Sequence, residues 1–195
     1  MYLTSFSKTL APSLKVGAVT LPDTLFGDRD ARKVLMRDLV ERKGFATPNS
    51  NCLGQAIVGG ILLEQNFSLR SWVSDAHRQY RCNRDAMLYY LDREFKGMRD
   101  LVHWNRPDGG FFIYLALPFP FTTDSIVDCA LNHDVIATPL SFFSPDNSQD
   151  HLVRLAFSSL STAQLEAGVS RFARYVETRL VPVASGARLP VQSAQ

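Results

Sequence analysis

The N-terminal stretch of this chain restricts its possible folds more than any other, because two short apolar runs there flank a turn that carries two lysines. Tyr2 and Leu3 begin the first run, and residues 16–21 form the second. Both runs are strand-like, and Pro12 and Ser13 mark a turn between them. Two strands joined by such a turn place the polar residues of the connection around one end of a β-structure.

The polar residues of this connection favour an anionic ligand. Ser5 and Ser7 supply hydroxyl groups, and Lys8 and Lys15 supply ammonium groups. Such donors make charge-assisted hydrogen bonds with phosphate oxygens, and these bonds are among the strong ones in proteins. A lysine that is partly desolvated beside a second cation has a lowered pKa, and its neutral amine can then attack a carbonyl carbon. The tripeptide Ser-Lys-Thr taken alone is more typical of a solvated turn than of a ligand site. A P-loop is excluded because no Gly-x-x-x-x-Gly precedes Lys8.

Length and composition indicate an ordinary globular protein. The chain has 195 residues, of which 46% are hydrophobic and 21% are charged, and its net charge is +2. This small charge gives no reason to expect nucleic acid or an acidic membrane surface as a partner. No apolar run reaches the roughly 18 residues of a membrane span, and no signal peptide is recognisable. The cysteines, which lack C-x-x-C spacing, are expected to be reduced packing residues of a cytoplasmic protein: Cys52, Cys82 and Cys129.

Apolar periodicity divides the rest of the chain into helices and strands. Helices are predicted at 28–43, 52–64, 68–95, 123–131 and 161–181. Strands are predicted at 17–21, 102–104, 111–117, 135–138 and 152–157. Gly44 and Pro182 are expected to end their helices, and Ser161 and Gln164 are expected to form a capping box. The strands and helices after residue 97 predict a small sheet with helices on one face. Acidic residues are interspersed with the arginines of helix 68–95, which favours a solvated face over a nucleic-acid surface.

The N-terminal stretch resembles the cofactor-lysine segment of the fold-type I, pyridoxal-phosphate-dependent aminotransferases, in the subgroup of aminoadipate and kynurenine aminotransferases. That family reads Ser-x-Ser-Lys, then a Pro or Ser turn, then a basic residue and Gly. The resemblance implies that Lys8 is the catalytic residue and bonds to pyridoxal 5′-phosphate, that Ser5 and Ser7 hold its phosphate, and that Lys15 is the cationic partner of that phosphate. The family usually has arginine at the position of Lys15. Lysine keeps the charge but loses the bidentate fork, which implies looser phosphate binding.

Three segments of the C-terminal half extend the resemblance. Residues 107–115 match a Pro-x-Gly-Gly-hydrophobic strand, and residues 139–143 match a Pro-Gly-x-x-Phe loop in which Leu140 replaces the glycine. Residues 151–158 match an Arg-hydrophobic-x-Phe segment, which implies that Arg154 binds the α-carboxylate of the substrate in a bidentate pair. An arginine inside an apolar strand otherwise indicates a structural ion pair. The four histidines lack ligand spacing, so no metal site is predicted.

The resemblance extends from residue 2 to about residue 181 but covers only the C-terminal half of the family's length. It implies an α/β fold, the C-terminal part of a PLP-dependent transferase fold, with a remnant of the large-domain sheet and a small α+β domain. The expected division is 1–66 for the remnant, 67–97 for a connecting helix, 98–182 for the small domain and 183–195 for a tail. In the family the acidic partner of the pyridine nitrogen and the ring-stacking aromatic lie upstream of the lysine. The chain is therefore expected to be a truncated, split or mis-started form.

The implied function is PLP-dependent transfer of an amino group between an α-amino acid and a 2-oxo acid, in a homodimer when complete. The loop at Asn49–Asn51 would approach the cofactor of the neighbouring subunit, unless it is a plain helix N-cap. Two alternatives stay open: the effector domain of an aminotransferase-like transcriptional regulator, and a non-catalytic fragment. The identity of the amino-acid substrate does not follow from this sequence.

Overall fold

The computed structural model describes residues 1–24, 27–47 and 51–184, apart from the side chains of residues 147 and 181–184. It divides the chain into two compact units, Met1–Asp75 and Ala76–Gln195. The division falls inside the segment 67–97 that the sequence assigns to a connecting helix. Among the described helices, none is both long enough and apolar enough to cross a bilayer.

The first unit contains a β-hairpin and two helices. Strands β1 (Tyr2–Ser5) and β2 (Gly17–Thr20) are antiparallel, with Tyr2 opposite Thr20 and Ser5 opposite Gly17. A single 3-10 turn, Pro12–Leu14, lies in their connection. The helices are α1 (Arg29–Ala46) and α2 (Cys52–Glu64). The two strand-like runs of the sequence are therefore strands of one hairpin.

The ends of these helices agree only partly with the sequence patterns. Helix α2 has the predicted bounds, whereas α1 continues past Gly44 to Ala46, so the predicted stop at Gly44 is wrong. A glycine inside a helix costs only about 1 kcal/mol relative to alanine, which the rest of the helix can offset. Asp28 caps the start of α1, where its side chain accepts a hydrogen bond from the backbone N–H of Asp30 (2.7 Å).

The second unit contains a four-stranded antiparallel sheet and most of helix α3 (Ser74–Glu94), which begins six residues later than predicted. The strand order is β3–β4–β6–β5. The strands are β3 (His103–Trp104), β4 (Phe112–Ala116), β5 (Thr138–Pro139) and β6 (Leu152–Ala156). Helices α4 (Thr123–His133) and α5 (Thr162–Ala184) complete the unit, together with 3-10 turns at Lys96–Met98, Leu140–Phe143 and Asn147–Gln149.

Alternation along the central strands determines which face of the sheet is covered. Ile113 and Leu115 on β4, and Val153 and Leu155 on β6, are at most 6% exposed and belong to the hydrophobic core. Helices α3, α4 and α5 contribute further residues of this core, among them Met87, Leu91, Cys129, Val169, Phe172 and Val176. The intervening residues point to the opposite, more open face, where Tyr114 is paired with Arg154. The predicted sheet with helices on one face is confirmed.

Helix α5 shows both a correct and an incorrect prediction. Its capping box is present, because the Ser161 N–H donates to Gln164 Oε1 (2.9 Å) and the Gln164 N–H donates to Ser161 Oγ (3.3 Å). The predicted end at Pro182 is wrong, since the helix continues to Ala184. Proline is compatible with a helical φ angle, and close to the end of a helix its main cost is one missing backbone hydrogen bond.

A buried asparagine joins α3 to the segment that follows β6. Asn83 is 1% exposed, and its Nδ2 donates to the carbonyl oxygens of Phe157 and Leu160, both at 2.8 Å. Its Oδ1 accepts from Gln79 Nε2 at 2.8 Å. The amide therefore donates hydrogen bonds to two carbonyl groups that lie outside the helices and strands. Buried polar groups need such partners.

Candidate functional site

The hairpin brings the four residues assigned to cofactor binding to one of its ends. Ser5 lies opposite Gly17, and the N–H of Phe6 donates to the carbonyl oxygen of Val16 at 2.9 Å. Ser7 and Lys8 follow directly on one side of this last pair, and Lys15 precedes it on the other side. Antiparallel pairing therefore brings together residues that lie up to ten positions apart in sequence.

Backbone hydrogen bonds close the connection between the two strands. The N–H groups of Leu10 and Ala11 both donate to the carbonyl oxygen of Phe6, at 2.9 and 3.3 Å. Lys15 has φ 52° and ψ 38°, the left-handed conformation, immediately before the second strand resumes. A non-glycine residue in this region carries a strain of about 1 kcal/mol or more. The backbone is thus held in an unfavourable conformation at the residue predicted to meet the phosphate.

The N-terminus of α2 contacts the connection between β1 and β2 and restrains its backbone at Leu14. Asn51 caps the helix by accepting from the Gly54 N–H (3.0 Å), and its Nδ2 donates to the carbonyl oxygen of Leu14 (3.3 Å). Gly54 is buried, and a Cβ atom added there would lie only 2.7 Å from the same Leu14 oxygen. The N-cap interpretation of Asn51 is therefore confirmed. Asn49 and Ser50 lie outside the described residues.

The charge and exposure of this end suit a phosphorylated aldehyde. Residues 1–22 contain two lysines and neither aspartate nor glutamate, so the local field is positive. Ser5, Lys8 and Lys15 are exposed and Ser7 is half-buried, so a ligand can reach all four. Hydroxyl and ammonium donors match phosphate oxygens, and a lysine amine can bond to an aldehyde carbon. The donor set therefore fits pyridoxal phosphate.

Arg154, the predicted substrate residue, lies in the second unit on β6. Its guanidinium carbon is 4.2 Å from the ring centroid of Phe112 and 4.6 Å from that of Phe143. Within the described part of the chain it makes no ion pair, so the structural ion pair that the sequence left open is not found there. The side chain is half-exposed on the open face of the sheet.

The environment of Arg154 joins the three C-terminal segments that carry the family resemblance. Phe112 comes from segment 107–115, Phe143 from segment 139–143, and Arg154 from segment 151–158. Leu140, which departs from the family pattern, starts a 3-10 turn and has a negative φ angle, so this turn does not require a glycine. Sequence reasoning missed Phe112 and Phe143 as partners of the arginine. Alternation along β4 predicts that Phe112 points away from the buried face of Ile113, but its position beside Arg154 depends on the register of β4 and β6.

The cysteines and histidines form no second catalytic centre within the described residues. Cys129 is fully buried, and desolvation raises the pKa of its thiol to about 11, so this cysteine is an inert packing residue as expected. Cys52 and Cys82 are exposed, so the expectation that they are packing residues is wrong. Across the described ranges, no group of His, Cys, Asp and Glu is arranged to hold a metal ion.

Comparisons with known proteins show which enzymes this chain is similar to. No family model matches the chain. It is 31% identical to the (S)-3,5-dihydroxyphenylglycine transaminase of Amycolatopsis orientalis, over 92% of this chain and 40% of that protein. Its fold is similar to that of LysN, an alpha-aminoadipate aminotransferase from Thermus thermophilus solved with N-(5′-phosphopyridoxyl)-L-leucine. The TM-score is 0.73 at 30% identity, covering 93% of this chain and 42% of LysN.

The chain is also similar, more weakly, to the HTH-type transcriptional regulator NorG of Staphylococcus aureus. The identity is 23% over 91% of this chain and 36% of NorG. The chain thus spans about two fifths of the length of the enzymes it matches. The matches extend over almost the whole of the chain in both sequence and fold. In both sequence and fold, this chain is similar to the C-terminal part of fold-type I, PLP-dependent aminotransferases.

Proposed function

We propose that this chain supplies the cofactor lysine and the carboxylate-binding arginine of an aminotransferase that moves an amino group between an α-amino acid and a 2-oxo acid. The observation that carries the proposal is the end of the hairpin, where Ser5, Ser7, Lys8 and Lys15 meet around an acid-free turn. Pyridoxal phosphate, when bound, supplies an aldehyde carbon that bonds to amines and a ring that accepts electrons from the substrate Cα.

Each residue at the hairpin end has a distinct task in this proposal. The hydroxyls of Ser5 and Ser7 donate hydrogen bonds to phosphate oxygens, and the ammonium of Lys15 balances the phosphate charge. Lys8 Nζ would bond covalently to the cofactor, and its free amine would accept the proton of the substrate Cα as a general base.

Arg154 has the task of orienting the substrate. A planar guanidinium binds a carboxylate through two parallel N–H···O bonds, which fixes direction as well as position. Because Arg154 has no acidic partner among the described residues, a substrate carboxylate would not have to displace one. The similarity to these aminotransferases also supports a homodimeric cytoplasmic enzyme without nucleic-acid or membrane partners, which we include in the proposal.

Labelling of the cofactor lysine tests the proposal directly. The complete protein carrying this sequence is loaded with pyridoxal phosphate, reduced with borohydride and mapped by peptide mass spectrometry. The pyridoxyl group is expected on Lys8, and Lys8→Ala should abolish the label. Lys33→Ala is the matched control, because Lys33 is an exposed lysine that pairs with Asp30 at 2.8 Å in α1. Retention of covalent label by Lys8→Ala, at the level of Lys33→Ala, would refute the assignment.

A regulatory role is the second candidate, and the similarity to NorG is the observation that favours it. Cofactor binding at Lys8 is compatible with both roles, because an effector domain can bind the same ligand without turnover. Amino-acid-dependent conversion of 2-oxoglutarate by the complete protein separates the two. Turnover that disappears in Lys8→Ala supports the enzyme, whereas labelled but inactive protein supports the regulator.

A further inference from the structure

We propose that Phe112 and Phe143 are positioning residues that hold the Arg154 guanidinium ready for a carboxylate. This inference rests on the proposed function of Arg154. The two phenylalanines, here called the aromatic pair, lie with their ring centroids 4.2 and 4.6 Å from the guanidinium carbon. Both distances are well inside the range of about 6 Å at which a cation is attracted to an aromatic face.

Arg154 has only aromatic partners among the described contacts, whereas other arginines in the same unit contact carboxylates, even the three that also lie over a ring, Arg93, Arg99 and Arg179. Arg84, Arg93, Arg99, Arg106 and Arg179 each contact a carboxylate at 2.5–2.9 Å. A carboxylate occupies in-plane N–H donors and compensates the positive charge. An aromatic ring attracts the cation through its face and leaves the in-plane donors unoccupied. Arg154 is therefore restrained in a way that preserves its capacity for a bidentate bond.

Restraint matters because an arginine side chain is long and flexible. Ordering such a side chain upon binding costs conformational free energy, and this cost is removed when the free protein already orders it. The sheet register shows how this ordering arises. Arg154 is paired with Tyr114 on β4, and Phe112 lies two positions along the same strand, at a diagonal position on the open face. Phe143 reaches the guanidinium from a separate element, the 3-10 turn Leu140–Phe143.

The two members of the pair differ in how they can be tested. Phe112 is on a central strand, so its replacement also perturbs the sheet. Phe143 is 64% exposed, so Phe143→Leu removes little buried surface and should leave the fold intact. Phe142 is the matched control, because it is 58% exposed in the same 3-10 turn and, among the described contacts, makes no cation–π contact with Arg154.

The experiment compares Phe112→Leu, Phe143→Leu, Phe142→Leu and Arg154→Lys in the cofactor-loaded complete protein. The first readout is the NMR signal of the Arg154 Nε–H, assigned by its loss in Arg154→Lys. Ring currents should displace it from the position of solvated arginines, and either variant of the pair should shift it back toward that position. The second readout is the dissociation constant of 3-phenylpropanoate, a carboxylate that lacks an amino group and so cannot react. Each variant of the pair should weaken binding by about fivefold, the equivalent of one cation–π contact.

The outcomes separate this inference from the proposed function. If Arg154→Lys weakens binding at least tenfold while both variants of the pair behave like Phe142→Leu, the positioning role is refuted and the role of Arg154 stands. If Arg154→Lys binds the probe like the unmodified protein, the carboxylate role itself is refuted. If the pair weakens binding without changing the Nε–H signal, the rings contact the ligand rather than position the arginine, and the inference is also refuted.

Discussion

Asn83 provides the sharpest test of how the second unit is held together. Its amide donates to the carbonyl oxygens of Phe157 and Leu160, both at 2.8 Å, from a position that is 1% exposed. Replacing it with leucine keeps the branched shape of the side chain, makes it somewhat larger and removes both donors. We therefore expect Asn83→Leu to destabilise this unit strongly without creating a large cavity.

The expected loss follows from the two carbonyl groups. The Phe157 oxygen accepts its bond in a buried environment, where leaving it unsatisfied costs about 1–3 kcal/mol. The Leu160 oxygen is only partly buried and can recover water, so its loss is closer to 0.5–1.5 kcal/mol, the net value of about one hydrogen bond. The sum is about 3 kcal/mol, a large share of the 5–15 kcal/mol that typically stabilises a folded protein. Asn83→Asp should cost more, because a carboxylate would face two carbonyl oxygens without a donor.

Urea unfolding followed by the fluorescence of Trp104 measures this loss in the relevant unit. The other tryptophan, Trp72, lies in the first unit and is replaced by phenylalanine in every variant. Asn132→Leu is the matched control, because Asn132 is an exposed asparagine that also donates to one side chain, Asp128 Oδ1 at 2.7 Å. Its effect should stay within about 0.5 kcal/mol. Equal unfolding midpoints for Asn83→Leu and the control would refute the reasoning.

Three further predictions concern the first unit and the thiols. Gly54→Ala should destabilise the hairpin connection by about 1–3 kcal/mol, because its Cβ would clash with a backbone carbonyl at 2.7 Å, whereas Gly59→Ala, with nothing within 4 Å, should be neutral or stabilising. Urea unfolding followed by the fluorescence of Trp72, with Trp104 replaced by phenylalanine, measures both changes in the first unit. Iodoacetamide at pH 8 should alkylate the exposed Cys82 and leave Cys129 unmodified, because the Cys129 thiol is buried and stays protonated below its raised pKa of about 11. Equal labelling of the two cysteines in mass spectra would contradict this. Lys15→Arg should retain pyridoxal phosphate through dialysis at least as well as the unmodified protein, since arginine restores a bidentate fork; a marked loss would show that Lys15 does not contact the phosphate.

Local chemistry made much of this fold predictable. Helix α2 has its predicted bounds, and Ser161 and Gln164 form the capping box that their spacing indicates. The errors occur where one residue was expected to override its neighbours. Gly44 and Pro182 did not end their helices, because a single unfavourable residue near a helix end costs less than the remaining turns contribute.

The candidate site was predictable to a more limited extent. The hairpin end follows from a local pattern, so Ser5, Ser7, Lys8 and Lys15 could be grouped from sequence alone. The aromatic pair could not, because Phe112, Phe143 and Arg154 meet only through strand register and the placement of a 3-10 turn. Register depends on tertiary pairing, which a single sequence does not contain.

Because the backbone at Lys15 is left-handed, selection for folding and selection for cofactor binding should favour different residues at this position. A glycine there would relieve the strain and make the hairpin more stable by about 1 kcal/mol, since it adopts positive φ without a Cβ clash. It would also remove one of the two cations of the acid-free turn. In a saturation library at this codon, sorting for folded protein should therefore enrich glycine and asparagine, whereas growth that depends on cofactor binding should enrich lysine and arginine. The difference between the two enrichment profiles would indicate how much folding stability the chain loses by having a cation, instead of glycine, at this position.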